Sequence, residues 1–124
     1  ENFMNYTPKN VIDKSSCSLN EAFNHIKNAE FHIGISSGLS WVSWALNTPV
    51  LMVSSFSQPH CEFQSDCIRI YNDNPTSGYF NTHKLDPSNW NWCPHKEITS
   101  MDDWYEIETI TPSQVIDNIK LYLL

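Results

Sequence analysis

Positive charge is scarce in this chain: seven Lys and Arg stand against fourteen Asp and Glu, a formal net charge of -7. That balance works against phosphate-backbone binding by bulk electrostatics, so nucleic acid is not an expected partner. Long apolar runs are lacking too, each being broken by Ser, Asn or Pro well short of the ~20 residues a membrane helix needs. No membrane span is expected, and at most a peripheral association with a membrane surface. The four cysteines, Cys17, Cys61, Cys67 and Cys93, include no CxxC pair. Their spacing defines no metal framework and leaves three disulfide connectivities open. No charged or apolar segment of secretion type follows Met4, so reduced thiols and a cytoplasmic location are expected. Internal repeats and low-complexity tracts are lacking as well, and no nucleophile, general-base pair or Ser/His/Asp arrangement stands out.

What is there fits one domain with a real core, since 124 residues leave no room for two independent ones. The chain opens on Glu1 rather than Met and reads as one partial unit, residues 1–124, of something longer. Ser18 as N-cap, Glu21 three residues on, and Leu19, Ala22, Phe23, Ile26 and Ala29 at helical spacing predict an amphipathic helix over 19–29. Before it, residues 10–13 read as a short strand. Residues 31–35 read as a buried strand of a parallel sheet. From 39 to 46 a helix is expected with apolar residues on nearly every face, including Trp41, Val42, Trp44, Ala45 and Leu46, which calls for burial between the sheet and a second layer. Asn47-Thr48-Pro49 stops it, and 50–53 is the next buried strand, completing a right-handed strand-helix-strand crossover. A further strand is expected at 67–71 and a long irregular loop over about 72–106. Thr111 as N-cap and Pro112 at the first helical position open a last helix, with Val115, Ile116, Ile119 and Leu123 on one face. The alternation is α/β.

The chemistry concentrates at Ser36-Ser37-Gly38, a turn between a strand and a helix. The N–H groups of Gly38, Leu39 and Ser40 lack intrahelical partners there, the helix dipole adds partial positive charge, and such a terminus accepts phosphate. Serine also caps helices and glycine turns chains with no ligand at all. The position favours a ligand, because open α/β sheets bind theirs at the carboxyl ends of parallel strands. In an acidic chain any anion has to be held by such local donors. Glu62 and Phe63 follow the second strand on the same sheet edge, where Glu62 could accept from ribose hydroxyls and Phe63 could cover a base; the alternatives are a solvated carboxylate and a core aromatic. Arg69 suits a phosphate or a salt bridge. Trp90, Trp92 and Trp104 suit a sugar platform or the anchoring of their own loop. His60, Cys61, Cys67, His83, Cys93 and His95 supply zinc-type ligands at spacings that match no zinc pattern.

The run GISSGLSWVSWALNTPVLMVSSFSQP, residues 34–59, resembles the donor-site segment of ADP-heptose-type glycosyltransferases. With SQPHCEF at 57–63, RIYN at 69–72, LDPSNWNWCP at 85–94 and ITPSQVIDNI at 110–119, the stretch 18–122 resembles the bacterial autotransporter heptosyltransferases in particular. The resemblance implies a GT-B enzyme of two facing Rossmann-like domains, of which this chain is the later, parallel-sheet portion of the C-terminal, donor-binding one. It implies an inverting transfer of a sugar such as heptose from a nucleotide diphosphate, ADP-heptose being the family's donor, to a protein or glycan acceptor. It assigns the donor diphosphate to Ser37, Gly38, Leu39 and Ser40, with Ser36 beside them. The base that activates the acceptor would belong to the N-terminal domain. Where the wider superfamily has Asp-Thr-Gly this chain has Ser36-Ser37-Gly38, so a carboxylate able to reach the sugar is lacking. The family's four-cysteine iron finger falls near Thr76, Tyr79, Cys93 and Ile107; one thiolate of four cannot close a tetrathiolate site, and no metal cofactor is expected. Two other readings stand beside the enzyme: a non-catalytic glycosyltransferase-like domain that binds a nucleotide sugar or stabilises an enzyme, and a metal-stapled module with the tryptophans as its ligand face. Apolar faces that would meet the rest of a larger enzyme favour self-association of the chain alone.

Overall fold

The computed structural model describes residues 8–54, 57–71, 78, 84, 88 and 110–123. In chain order these form α1 (Leu19–Lys27), β1 (His32–Ile35), α2 (Gly38–Ala45), β2 (Val50–Val53), a 3-10 turn (Pro59–Cys61), β3 (Cys67–Ile70) and α3 (Pro112–Leu123). The three strands make one parallel sheet in the order β1-β2-β3. Its register pairs Ile35 with Val53 and Val53 with Ile70 at the carboxyl end, and Gly34 with Met52 and Met52 with Arg69 one row before. The expected strand-helix-strand unit is therefore present, and so is the α/β, parallel-sheet class.

The central strand holds the core. Val50, Leu51 and Met52 are at most 1 % exposed, and Val50 and Met52 cluster with Phe63 while Cys67 packs against them. The edge strand departs from expectation: Ile33 and Ile35 of β1 are about two-fifths exposed, at 42 % and 41 %, because alternate residues of an edge strand face away from α2 and nothing among the described residues covers them. The strand expected at 10–13 does not form. Asn10 has a left-handed backbone (φ 61), and Val11 and Ile12 lie exposed, so β-branched composition alone made no strand there.

α1 opens on the expected capping box. Ser18 N–H donates to Glu21 Oε2 at 2.9 Å, and Glu21 N–H to Ser18 Oγ at 3.4 Å. The hydroxyl of Thr48 donates to the Ile26 carbonyl at 3.0 Å, tying the last turn of α1 to the loop that enters β2. α3 has the same device, with Thr111 N–H donating to Gln114 Oε1 at 2.7 Å and Gln114 N–H to Thr111 Oγ1 at 3.3 Å. Val115 and Ile119 are half-buried, Ile116 is exposed, and Tyr122 meets Phe31 edge to face at 5.8 Å.

α2 sits on the sheet in an unexpected way. Its fully buried residues are Ser40 and Ser43, while Leu39, Trp41 and Trp44 keep 44 %, 42 % and 37 % of their surface exposed. The cause is closeness: a Cβ built on Gly34 would lie 2.7 Å from Ser40 Oγ, so the helix rides low over β1 and admits only small side chains beneath it. The two hydroxyls are satisfied locally, Ser40 donating to the Ile35 carbonyl at 2.6 Å and Ser43 to the Leu39 carbonyl at 2.9 Å. The helix ends in a Schellman motif: Asn47 takes φ 58, its N–H donates to the Trp44 carbonyl at 3.0 Å, and Thr48 N–H reaches the Ser43 carbonyl at 2.9 Å. Trp41 and Trp44 both meet Phe63, at centroid distances of 5.1 Å and 5.4 Å.

Apart from residues 78, 84 and 88, the expected loop at 72–106 lies outside the described residues, and so do Trp90, Trp92 and Trp104. Among the described residues no helix is long and apolar enough to cross a membrane.

Candidate functional site

The site grows from the junction of β1 and α2. Ser37 is the N-cap of α2, in extended backbone (φ -143, ψ 175), and its side chain makes no capping bond. Of the amides that a helix start leaves over, Ser40 N–H turns back to the Ser37 carbonyl at 3.1 Å and Trp41 N–H to the same carbonyl at 3.3 Å. Gly38 N–H and Leu39 N–H have no protein partner among the described residues. The expected trio of free amides is thus a pair. Ser40, expected to touch the diphosphate, is fully buried with both its amide and its hydroxyl engaged; it rivets the turn to β1. Ser37, Gly38 and Leu39 are exposed and Ser36 is half-buried.

Gly38 is the informative residue. It does not have the positive φ that favours glycine, and a Cβ placed on it would meet nothing within 4 Å among the described residues. Neither backbone strain nor packing by the described residues demands a glycine there. The turn therefore opens onto space at the carboxyl end of the sheet, with two unpaired N–H groups at the positive end of α2.

The second and third strands add a polar corner. Ser54, just past β2, is 2 % exposed; its N–H donates to the Ile70 carbonyl at 3.0 Å, and its Oγ has no hydrogen-bond partner among the described residues. Glu62 is buried, its Oε2 ion-paired with Arg69 and its Oε1 accepting from the Ser57 hydroxyl. The Nη1 of Arg69 is buried without a partner among the described residues. Glu62 and Phe63, expected beside a nucleotide, are thus both turned inward: the carboxylate is consumed by Arg69 and Ser57, and the ring is core. Arg69 takes the salt-bridge alternative. Ser54 and Ser57 escaped sequence reasoning, because serines after a strand carry no periodicity to single them out.

Cys17, Cys61 and Cys67 are free thiols, and burial pushes the Cys67 thiol above its usual range, which keeps it protonated and a poor metal ligand. No group of three or more metal-ligating side chains occurs among the described residues. His83, Cys93, His95 and the finger positions Thr76, Tyr79 and Ile107 lie outside them.

No family model matches the chain. Its relatives among characterised proteins are consistent with one another. The autotransporter heptosyltransferase BAHTCr of Citrobacter rodentium is 36% identical over 98 residues, which are 77% of this chain and 24% of that one. The inactive autotransporter heptosyltransferase BimC of Burkholderia thailandensis is 30% identical over 71 residues, 56% of this chain and 16% of BimC. Among solved structures, the dodecameric, iron-containing heptosyltransferase TibC in complex with ADP-D-beta-D-heptose superposes with a TM-score of 0.69 at 33% identity, over 82% of this chain and 27% of TibC; TibC comes from enterotoxigenic Escherichia coli. The chain spans a fifth to a quarter of the length of the curated relatives it matches, 24% of BAHTCr and 20% of the Escherichia coli relative Aah. Over that stretch it shares the sequence pattern and the fold of TibC, a GT-B glycosyltransferase, and is a homologue of the autotransporter heptosyltransferases.

Proposed function

We propose that this chain is the donor-binding part of a heptosyltransferase, holding the diphosphate of a nucleotide sugar, ADP-heptose by analogy with the ligand of TibC, at the turn formed by Ser36, Ser37, Gly38 and Leu39. The observation that carries this reading is the open turn itself: two amides without a partner, and a glycine that packing does not require, among the described residues. Ser40 acts from behind, fixing the turn to the Ile35 carbonyl. As the glycosidic bond breaks, the leaving diphosphate gains negative charge, and preorganised N–H groups at Gly38 and Leu39 stabilise it more than the intact donor. The base that activates the acceptor, a protein or a glycan, belongs to the N-terminal domain in this reading. No resident metal takes part: at the finger positions this chain has Thr76, Tyr79, Cys93 and Ile107, a donor set with one thiolate that does not fit an iron site.

A non-catalytic nucleotide-sugar-binding domain is the second reading. The relative BimC, described as inactive, favours it, as does the lack of a carboxylate at Ser36. Titration of the chain with ADP, ADP-sugars and GDP-sugars, followed by calorimetry, tests what both readings share. Saturable binding of ADP forms is expected, and no binding at millimolar concentrations would remove both. Sugar transfer to an acceptor by the chain together with its N-terminal domain separates the enzyme from the binding domain.

A further inference from the structure

We infer that the hydroxyl of Ser54 is an inner hydrogen-bond donor of the same diphosphate site, an inference that rests on the donor-binding reading above. The register ends on the pair Ile35 and Val53, so the next residues, Ser36 and Ser54, lie side by side on neighbouring strands, which run ~4.8 Å apart. Strand alternation places Ser54 on the same face as Met52, and Met52 clusters with Phe63, against which Trp41 and Trp44 of α2 pack. Ser54 thus belongs to the face that carries α2, at the end of the sheet where α2 begins and where Gly38 and Leu39 leave their amides unpaired.

Ser54 is 2 % exposed and its Oγ has no partner among the described residues. A buried hydroxyl without a hydrogen bond is unfavourable, and native proteins retain few such groups. Arg69 Nη1, in the row before on the same face, is the other buried side-chain donor without a partner among the described residues. Three donors without acceptors, Ser54 Oγ–H and the amides of Gly38 and Leu39, therefore gather at one corner, and a diphosphate offers several oxygens to that corner at once. The Ser54 oxygen is shielded in the free chain, so the contact forms by rotation about its Cα–Cβ bond together with a small shift of the exposed turn. The hydroxyl then serves binding at the expense of the free fold, and this sets it apart from a structural serine.

The test compares the chain with its Ser54→Ala variant, by calorimetric titration with ADP and with inorganic pyrophosphate and by thermal unfolding without ligand. The expected result is a thermal midpoint equal to or above that of the parent, with affinity for both ligands about tenfold weaker, as loss of a charge-assisted hydrogen bond implies. Equal affinities in parent and variant overturn the inference and leave the donor-binding reading standing. A loss seen with ADP but not with pyrophosphate overturns the diphosphate assignment, and a fallen midpoint gives Ser54 a structural partner and overturns it too. A parent chain that binds neither ligand overturns the inference and the reading together.

Discussion

At the scale of single residues, the contrast between Gly34 and Gly38 separates a glycine that packing requires from one that it does not. A side chain at Gly34 would collide with His32 and Ser40, and the cost of such overpacking would fall on stability. At Gly38 there is open space and no left-handed backbone, so a side chain there should leave stability within about 0.5 kcal/mol, the range of ordinary surface substitutions. It would, however, project from the residue whose amide is proposed to meet the diphosphate. The Gly38→Val chain is therefore expected to unfold at nearly the parental urea midpoint while its affinity for ADP falls by roughly tenfold or more, about the worth of one charge-assisted hydrogen bond. Unchanged affinity would mean that the open turn is not where the nucleotide sits. The ion pair of Glu62 and Arg69 illustrates the opposite case. Sequence offered Glu62 as a ribose contact, but a carboxylate taken out of water needs a partner, and the cation two positions into β3 supplies one.

At the scale of elements, the parts legible in the sequence were those with local causes. The two capping boxes, at Ser18 and Thr111, announce their helices because donors and acceptors three residues apart satisfy each other without help from the rest of the fold. Asn47 and Pro49 likewise mark the end of α2. What the sequence concealed depends on distance between elements. The run from Trp41 to Leu46 suggests a helix buried by its large side chains, whereas the close ride over Gly34 buries its serines instead. Ser43→Leu, which adds apolar bulk at a helical position, is accordingly expected to lower stability by about 1–3 kcal/mol, the usual cost of forcing methylenes into a filled interface; a urea midpoint that rises would show spare room beneath α2. The free amides at the turn were legible as a class but not in number, since composition does not reveal that the first turn tightens with a 3-10 bond from Ser40 N–H to the Ser37 carbonyl. β1 carries its own titration. Burial holds the His32 imidazole below its ordinary range, so the folded chain binds that proton less readily than the unfolded one. Stability from this group is complete above the unfolded value, ~6.5, and declines as pH falls through it toward the folded value. Thermal midpoints at about pH 7.5 and about pH 5.5 should differ in that direction, and His32→Asn should flatten the difference; a midpoint that climbs on acidification would contradict the burial.

At the scale of the whole molecule, the acidic field and the anionic ligand oppose each other. A net charge of -7 repels a nucleotide diphosphate at long range, whereas the donors proposed to hold it act at contact: two neutral amides, a serine hydroxyl and the dipole of a short helix. The chain's single guanidinium, Arg69, is paired with Glu62 and adds little net charge to the corner. Salt should therefore act in reverse of its usual effect on phosphate binding. The Debye length shrinks from ~30 Å at 0.01 M to ~8 Å at 0.15 M, which removes most of the repulsion from distant Asp and Glu while barely touching donors at hydrogen-bond distance. Affinity for ADP is expected to hold steady or tighten as ionic strength rises across that range, and the association rate to increase, because the long-range term is the one being screened. A site that instead recruits lysines or arginines to grip the phosphates would weaken steadily with salt. Titrations at several salt concentrations, with magnesium left out so that no metal bridges the charges, decide between the two: a steady loss of affinity would show that cations, rather than the turn at Gly38, hold the diphosphate.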